Sequence, residues 1–100
     1  MQSITARQLK ELLDKPDAIQ LIDVREPDEH EAFNIGGELI PLDNITKQID
    51  RIQQDKPVIL YFRKGIRSAI AIQRLQEKFP FHNLINLVGG TEAWRREFEV

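Results

Sequence analysis

The run Val58–Phe62 constrains the fold of this chain more than any other segment. Its five residues are all apolar, and it lies between the turn Asp55–Pro57 and the polar stretch Arg63–Gly65. A strand buried on one face alternates apolar and polar residues, whereas a strand covered on both faces is apolar throughout. Strands of the second kind are typical of the centre of a parallel sheet with helices on each side. The segment therefore predicts an α/β fold.

The rest of the chain alternates strand-length apolar runs with stretches of helical period, which predicts a mainly parallel sheet with helices on its faces and right-handed crossovers. The predicted strands are residues 19–24, 38–41, 58–62 and 84–88. The predicted helices cover residues 6–14 after the N-cap Thr5, a short segment from Pro27, a segment after Asp43 or Asn44, a long segment from Arg67 or Ser68 to about Phe79, and a last one capped by Thr91.

Apolar positions within these helices predict the core. The first helix presents Leu9, Leu12 and Leu13 on one face, and the third presents Ile45, Ile49 and Ile52. For the long helix the core candidates are Ile70, Leu75 and Phe79. Trp94 and Phe98 stand at helical spacing and are interpreted as packing residues.

Composition excludes several classes of function. The chain has 100 residues, of which 41% are hydrophobic and 30% charged, and this fits one globular domain over residues 1–100. A net charge of −2 provides no basic field for nucleic acid or anionic lipid. No apolar run approaches the roughly 20 residues that span a bilayer. The N-terminus lacks the pattern of a signal peptide, so we expect a cytoplasmic protein.

The chain contains no cysteine. This excludes disulfides, thiolate metal sites and cysteine nucleophiles within it. His30 and His82 stand far apart without a metal-ligand pattern and are interpreted as isolated surface histidines. The sequence predicts no metal site and no cofactor.

One segment, Phe62–Ser68, has the composition of a binding loop. A buried strand runs through a glycine-containing loop directly into a helix. Backbone N–H groups in such a loop can converge on one point, and the helix N-terminus adds partial positive charge. We call the N–H groups of residues 63–67 the amide cradle; Gly65 permits its turn, and Arg63, Lys64 and Arg67 surround it. A plain strand–helix turn with solvated charges remains the alternative.

This segment resembles the active-site loop of the rhodanese (sulfurtransferase) family, in which a cysteine, four residues and an arginine lead into a helix. Phe62 stands at the cysteine position, Gly65 at the loop glycine and Arg67 at the closing arginine. Ser68 and the following helix match as well. Other segments resemble the family's Asp-Val-Arg element, its glycine-to-Ile-Pro strand and its Gly-Gly-x-x-x-Trp ending; they are Leu21–His30, Asn34–Leu42 and Leu87–Trp94.

The resemblance implies a three-layer α/β domain with about five mainly parallel strands and helices on both faces of the sheet. It also implies a mechanism in which a thiolate takes up sulfur as a persulfide and passes it to an acceptor. Phenylalanine is neither nucleophilic nor ionisable, so no catalytic residue is assigned in this chain. Cysteine-dependent phosphatases of similar loop shape have one more residue between cysteine and arginine, and the spacing here does not fit them. We expect the Phe62 ring to block the cradle in part; otherwise the cradle stays open to a small anion.

Three polar residues near the second predicted strand, Asp23, Arg25 and Glu29, are expected to be a structural ion-paired scaffold that braces the loops. The turn Gly89–Gly90 is not a dinucleotide-binding motif, because no GxGxxG follows a strand.

Three functions remain open. The first is a non-catalytic binding or regulatory module that docks a protein partner on a face formed by Phe62, Arg63, Lys64, Ile66 and Arg67, an apolar centre ringed by cations. The second is an accessory module of a sulfur-delivery pathway, since Ile35–Leu42 is similar to the rhodanese-like C-terminal modules of adenylyltransferases that serve molybdopterin or thiamin synthesis. The third is residual sulfurtransferase activity. The sequence does not predict the oligomeric state.

Overall fold

The computed structural model describes residues 1–99 as nine regular elements and two 3₁₀ segments. The strands are β1 (Gln2–Ile4), β2 (Gln20–Asp23), β3 (Glu38–Leu39), β4 (Val58–Tyr61) and β5 (Leu84–Leu87). The α-helices are α1 (Ala6–Leu12), α2 (Pro27–Ala32), α3 (Ile66–Lys78) and α4 (Gly90–Phe98). The 3₁₀ segments are Pro16–Ala18 and Leu42–Arg51.

The five strands form one parallel sheet in the order β1-β5-β4-β2-β3. All four residues of β4 are fully buried, as its continuous apolar sequence predicts. Val58 and Leu60 pack in one hydrophobic cluster with residues of α3 and of the 3₁₀ segment Leu42–Arg51. Ile59 and Tyr61 pack on the opposite face with Leu9 of α1. The predicted three-layer arrangement is confirmed.

Helix α1 begins at the predicted cap. The Gln8 amide donates to Thr5 Oγ1 (3.1 Å), and the Thr5 amide donates to Gln8 Oε1 (3.0 Å), so both partners of a capping box are present. Trp94 packs against the second hydrophobic cluster and meets the ring of Phe98 edge-on at a centroid distance of 4.6 Å. Their interpretation as packing residues is confirmed.

Several predicted boundaries were wrong. The strand β1 was not predicted, and the segment expected to be an α-helix after Asp43 or Asn44 is a 3₁₀-helix with a kink at Gln48. Helix α3 begins at Ile66 with Gly65 as its N-cap. Helix α4 begins at Gly90 with Gly89 as its N-cap, so Thr91 is a buried residue of the first turn and not the cap.

Three residues predicted to lie in the core are at the surface. Ile70 is 36% exposed, Phe79 is 38% exposed and Leu12 is likewise exposed. Leu9 and Leu75 of the same predicted sets are fully buried, as predicted. Ile45 and Ile52 are buried and Ile49 packs against the same cluster, as predicted.

The strands β2, β4 and β5 end side by side because all of them are parallel. Their carboxyl ends lead into the segments Val24–Glu26, Phe62–Gly65 and Val88–Gly89. These connections meet at one edge of the sheet, which is where open α/β sheets bind ligands. Within residues 1–99 none of the helices is long and apolar enough to cross a bilayer.

Candidate functional site

The loop Phe62–Gly65 makes a tight connection from β4 to α3. Gly65 has a φ of +92°, which side chains rarely adopt. A Cβ atom there would also lie 3.0 Å from the carbonyl oxygen of Leu87 and 3.0 Å from the amide nitrogen of Gly89. Both the backbone conformation and the close approach of the β5–α4 turn therefore require glycine at this position.

The N-terminus of α4 holds the backbone of the loop from the other side. The Thr91 amide donates to the Phe62 carbonyl oxygen (2.9 Å), and the Glu92 amide donates to that of Arg63 (3.0 Å). A Cβ atom on Gly90 would come within 2.1 Å of the Phe62 carbonyl oxygen. The first two peptide groups of the loop are thus oriented by α4.

With these carbonyl groups turned towards α4, the loop amides have no backbone or side-chain acceptor within residues 1–99. This holds for every N–H group of the amide cradle, residues 63–67. The last two of them belong to the first turn of α3, whose N–H groups lack intrahelical partners and carry the positive end of the helix dipole. Chemically, such N–H groups can donate hydrogen bonds to an anion, and binding of an anion by this loop stays a prediction.

The side chain of Phe62 is half-buried at the start of this loop. It packs against the hydrophobic cluster beneath α3, and the guanidinium carbon of Arg67 lies 5.3 Å from the ring centroid. That distance is typical of a cation–π contact. Partial blockage of the amide cradle by the ring stays a prediction.

The three cations of the loop have different surroundings. Arg63 Nε lies 3.8 Å and Lys64 Nζ 4.0 Å from Glu92 Oε2, an atom that is buried without a hydrogen-bond partner in the part of the chain the structure describes. No carboxylate lies within 4.0 Å of Arg67 in residues 1–99. Glu92 was not singled out from the sequence, because it reaches the loop from α4.

Ser68 ties the start of α3 to the sheet. Its hydroxyl is fully buried, donates to the Gly65 carbonyl oxygen (3.1 Å) and is hydrogen-bonded to the Asn86 side chain on β5. This serine therefore maintains the position of the loop and is not exposed to a ligand.

Asp23 and Arg25 form a buried pair beside the loop. Arg25 donates to both carboxylate oxygens of Asp23, with 2.8 Å between Nη2 and Oδ2, and a further bond joins its guanidinium to the Phe33 carbonyl. Burial alone would lower the pKa of Arg25, but the hydrogen bonds and charge of Asp23 outweigh it and the pKa is raised. The pair joins β2 to the end of α2.

Two expectations around this pair need correction. Glu29 forms no ion pair within residues 1–99; its carboxylate accepts the Glu26 amide (3.2 Å) and completes the capping box of α2. His30 is not an isolated surface residue, because its side chain is only 24% exposed and its Nδ1 lies 2.8 Å from Asp23 Oδ2. Helix α2 places His30 beside Asp23, seven residues earlier in the chain. The spacing between the two histidines in the sequence does not reveal this contact.

Tyr61 is a further polar residue that sequence reasoning missed. Its fully buried hydroxyl donates to the Gly36 carbonyl oxygen (2.9 Å) and accepts the Ile35 amide (3.3 Å). Burial, with the nearby charge of Asp23, raises the pKa of Tyr61 well above its ordinary value. The phenol thus fixes the segment between α2 and β3 against the residue that precedes the loop.

Comparisons with known proteins agree with this arrangement. The chain is 36% identical over 100 residues to the probable adenylyltransferase/sulfurtransferase MoeZ of Mycobacterium tuberculosis, an alignment that covers 97% of this chain and 25% of that protein. It is 43% identical over 76 residues to the uncharacterized protein YqhL of Bacillus subtilis, covering 75% of this chain and 60% of that protein.

Among solved structures, the rhodanese-like domain protein of Staphylococcus aureus superposes with a TM-score of 0.83 at 28% identity, covering 94% of this chain and 91% of that one. The family of rhodanese-like domains matches residues 5–97, which is nearly the whole chain. On its sequence, its five-stranded parallel sheet and its strand–loop–helix, this chain belongs to the rhodanese-like domain family.

Proposed function

We propose that this rhodanese-like domain has no sulfurtransferase activity of its own and acts as a docking module for a protein partner. The observation that carries the proposal is Phe62 at the position of the family's cysteine, in a chain of 100 residues without any cysteine. Sulfur transfer through a persulfide requires a thiolate that attacks a sulfur donor. A phenyl ring offers neither a nucleophile nor a site for a transferable sulfur atom.

The hydroxyl groups near the loop do not replace the thiol. Ser68 is buried and both of its hydrogen-bond partners belong to the fold. Tyr61 is buried, and burial raises its pKa above the ordinary value of about 10, at which a phenol is already protonated at neutral pH. Neither oxygen carries sulfur by the persulfide route.

The loop nevertheless presents a surface suited to binding. Arg63, Lys64, Ile66 and Arg67 are all exposed around the half-buried Phe62. An apolar centre with a cationic rim matches an acidic region of a partner protein. We call these five residues the docking face.

The test of lost chemistry is a thiosulfate:cyanide sulfurtransferase assay of the natural chain beside Phe62→Cys, with Phe62→Ser as the matched control. We expect the natural chain and the serine variant to be silent and the cysteine variant to gain activity, because the loop amides are oriented by α4. Activity in the natural chain would show the proposal to be wrong. Silence in all three would mean that the loop no longer supports the chemistry, and docking would remain its role.

The test of docking is affinity capture from an extract of the source organism, with Arg63→Glu/Lys64→Glu as the comparison. We expect the double variant to lose the captured protein, since two new carboxylates would face Glu92 and repel an acidic partner. Equal capture by both chains contradicts docking on this face.

A second candidate function is an accessory role in sulfur delivery, favoured by the similarity to MoeZ, which is named a probable adenylyltransferase/sulfurtransferase. The chain spans 25% of that protein's length, so it would serve as one module of such a system. Calorimetric titration of the chain with a purified adenylyltransferase domain from the same genome tests this role. Micromolar or tighter binding would support it, and no heat of binding would contradict it.

A further inference from the structure

Helix α3 carries an apolar pair at the surface directly after the docking face. Ile66 is 69% exposed and Ile70 is 36% exposed. Residues four apart lie on the same face of a helix, so the two side chains are neighbours. Neither is needed for the core, which takes Ala71, Ile72 and Leu75 from the other face of α3. The pair extends the apolar part of the docking face along the helix.

Basic residues accompany this pair. Residues 63–78 contain five lysines and arginines and one acidic residue, a formal charge of +4, in a chain whose net charge is −2. On α3, Arg67 and Arg74 are exposed and flank Ile70 at three and four residues. Within residues 1–99 no carboxylate lies within 4.0 Å of either guanidinium. By contrast, Arg63 and Lys64 lie beside Glu92.

We propose that the exposed face of α3, formed by Ile66, Arg67, Ile70 and Arg74, binds an acidic amphipathic helix of a partner protein. The inference rests on the proposed docking function and names the chemistry of the partner. Ile66 and Ile70 are one helical turn apart, and Arg67 and Arg74 are two turns apart, which is about 10 Å along the axis. A partner helix with two apolar side chains one turn apart and acidic side chains two turns apart matches both spacings.

The charge distribution selects this occupant. Within residues 1–99 neither Arg67 nor Arg74 has a carboxylate within 4.0 Å, so two carboxylates on the incoming helix would pair with them while its apolar residues cover Ile66 and Ile70. Because the rest of the chain is acidic, a basic or neutral segment would not be drawn to this face in preference to others.

The experiment is a selection of random 16-residue peptides displayed on phage against the immobilised chain. We expect enrichment of sequences with acidic and apolar residues in helical spacing. The peptide most enriched is then synthesised, labelled and titrated by fluorescence anisotropy against four double or single variants, each checked for folding by circular dichroism.

For Ile66→Ser/Ile70→Ser and for Arg67→Glu/Arg74→Glu we expect a loss of affinity of about 10-fold or more, as for residues at the centre of an interface. The matched controls are Leu12→Ser, an exposed leucine on α1, and Lys15→Glu/Lys47→Glu, which makes the same change in net charge elsewhere. We expect both controls to bind like the natural chain. Losses in the controls as large as in the α3 variants would overturn the proposal.

One further variant separates this inference from the docking function on which it rests. If Arg63→Glu/Lys64→Glu abolishes binding while both α3 variants bind normally, the loop docks a partner and the α3 extension is wrong. Failure to enrich any peptide, or enrichment of basic peptides, also overturns it. Binding to anionic vesicles or RNA that is tighter than binding to the peptide, and that is lost in the same α3 variants, would also overturn the proposal. The face would then recognise phosphate groups.

Discussion

The single tyrosine of the chain, Tyr61, lies one residue before the loop, and its titration can be observed without interference from another phenol. Its fully buried hydroxyl is hydrogen-bonded to the Gly36 carbonyl and the Ile35 amide. The neutral phenol is the form that fits there, because ionisation would place a negative charge near Asp23 in a buried environment.

This gives stability a dependence on alkaline pH. The folded-state pKa of Tyr61 is raised above its value of about 10 in the unfolded chain. The contribution of the Tyr61 phenol to the free energy of unfolding is therefore fully present below about pH 10 and is lost as the pH rises through the folded-state pKa. We expect the free energy of unfolding in urea to fall more steeply above about pH 10 in the natural chain than in Tyr61→Phe. Phenolate absorbance that titrates with an unshifted midpoint in the folded chain would contradict this.

The carboxylate of Asp23 offers a second prediction. Asp23→Asn leaves the guanidinium of Arg25 buried without a counter-charge, and removing one partner of a buried pair costs about 3–5 kcal/mol. We expect a loss of this size in the free energy of unfolding at neutral pH. Asp50→Asn, at an exposed position on the 3₁₀ segment, is the control and should change stability by about 0.5 kcal/mol or less. Similar losses in both variants would mean that the pair is not a structural brace.

Among the elements, the N-terminus of α4 is hydrogen-bonded to the backbone of the loop. Gly90→Ala would place a Cβ atom 2.1 Å from the Phe62 carbonyl oxygen and 2.7 Å from that of Arg63, and both are backbone atoms that cannot rotate away. Gly36 also has a positive φ, of +106°, but nothing lies within 4 Å of a Cβ there. Comparison of the two alanine variants therefore separates backbone strain from the close contact.

We expect Gly36→Ala to cost about 1–2 kcal/mol, the cost of a left-handed conformation for an alanine. Gly90→Ala should cost at least about 4 kcal/mol, the range in which a single substitution displaces neighbouring structure. Chemical denaturation measures both, and loop amide resonances should shift only in Gly90→Ala. Equal costs would show that α4 does not hold the loop.

The elements also show which features the sequence predicts. Val58–Phe62 identifies the central strand because burial on both faces requires continuous apolar residues, and the loop residues are contiguous in the chain. The strand β1 has two exposed residues out of three and leaves no pattern to detect. The N-caps Gly65 and Gly89 have left-handed backbone and no side chain that would mark them as caps. The predicted start at Arg67 or Ser68 and the predicted cap at Thr91 therefore place both helix starts too late.

The residues that surround the loop could not be predicted from local sequence patterns, for a different reason. Glu92 beside Arg63, and the Tyr61 hydroxyl beside Gly36, are contacts between residues more than twenty positions apart. Ile70 stands five residues before Leu75, about 140° away around α3, and Phe79 follows the last residue of the helix, so both lie outside the packed face. Such contacts follow from tertiary packing.

For the whole molecule, the position of each strand in the sheet predicts its resistance to hydrogen exchange. β4 lies between β2 and β5, whereas β1 and β3 are edges. We expect the Leu60 amide to exchange only by global unfolding. The Ile40 amide, bonded to Asp23 at the β3 edge, and the Val88 amide, bonded to Ile4 at the β1 edge, should exchange at least about 10-fold faster through local opening. Equal protection at all three positions would contradict this.

The pairing of β1 with β5 joins the second residue of the chain to the eighty-fifth. Contacts of such separation close a long loop, which carries a high entropic cost. During synthesis on the ribosome, the first strand therefore has no partner until nearly the whole domain has emerged. Translation delivers the docking face and α3 before the last strand, so this edge of the sheet closes only after β5 has arrived.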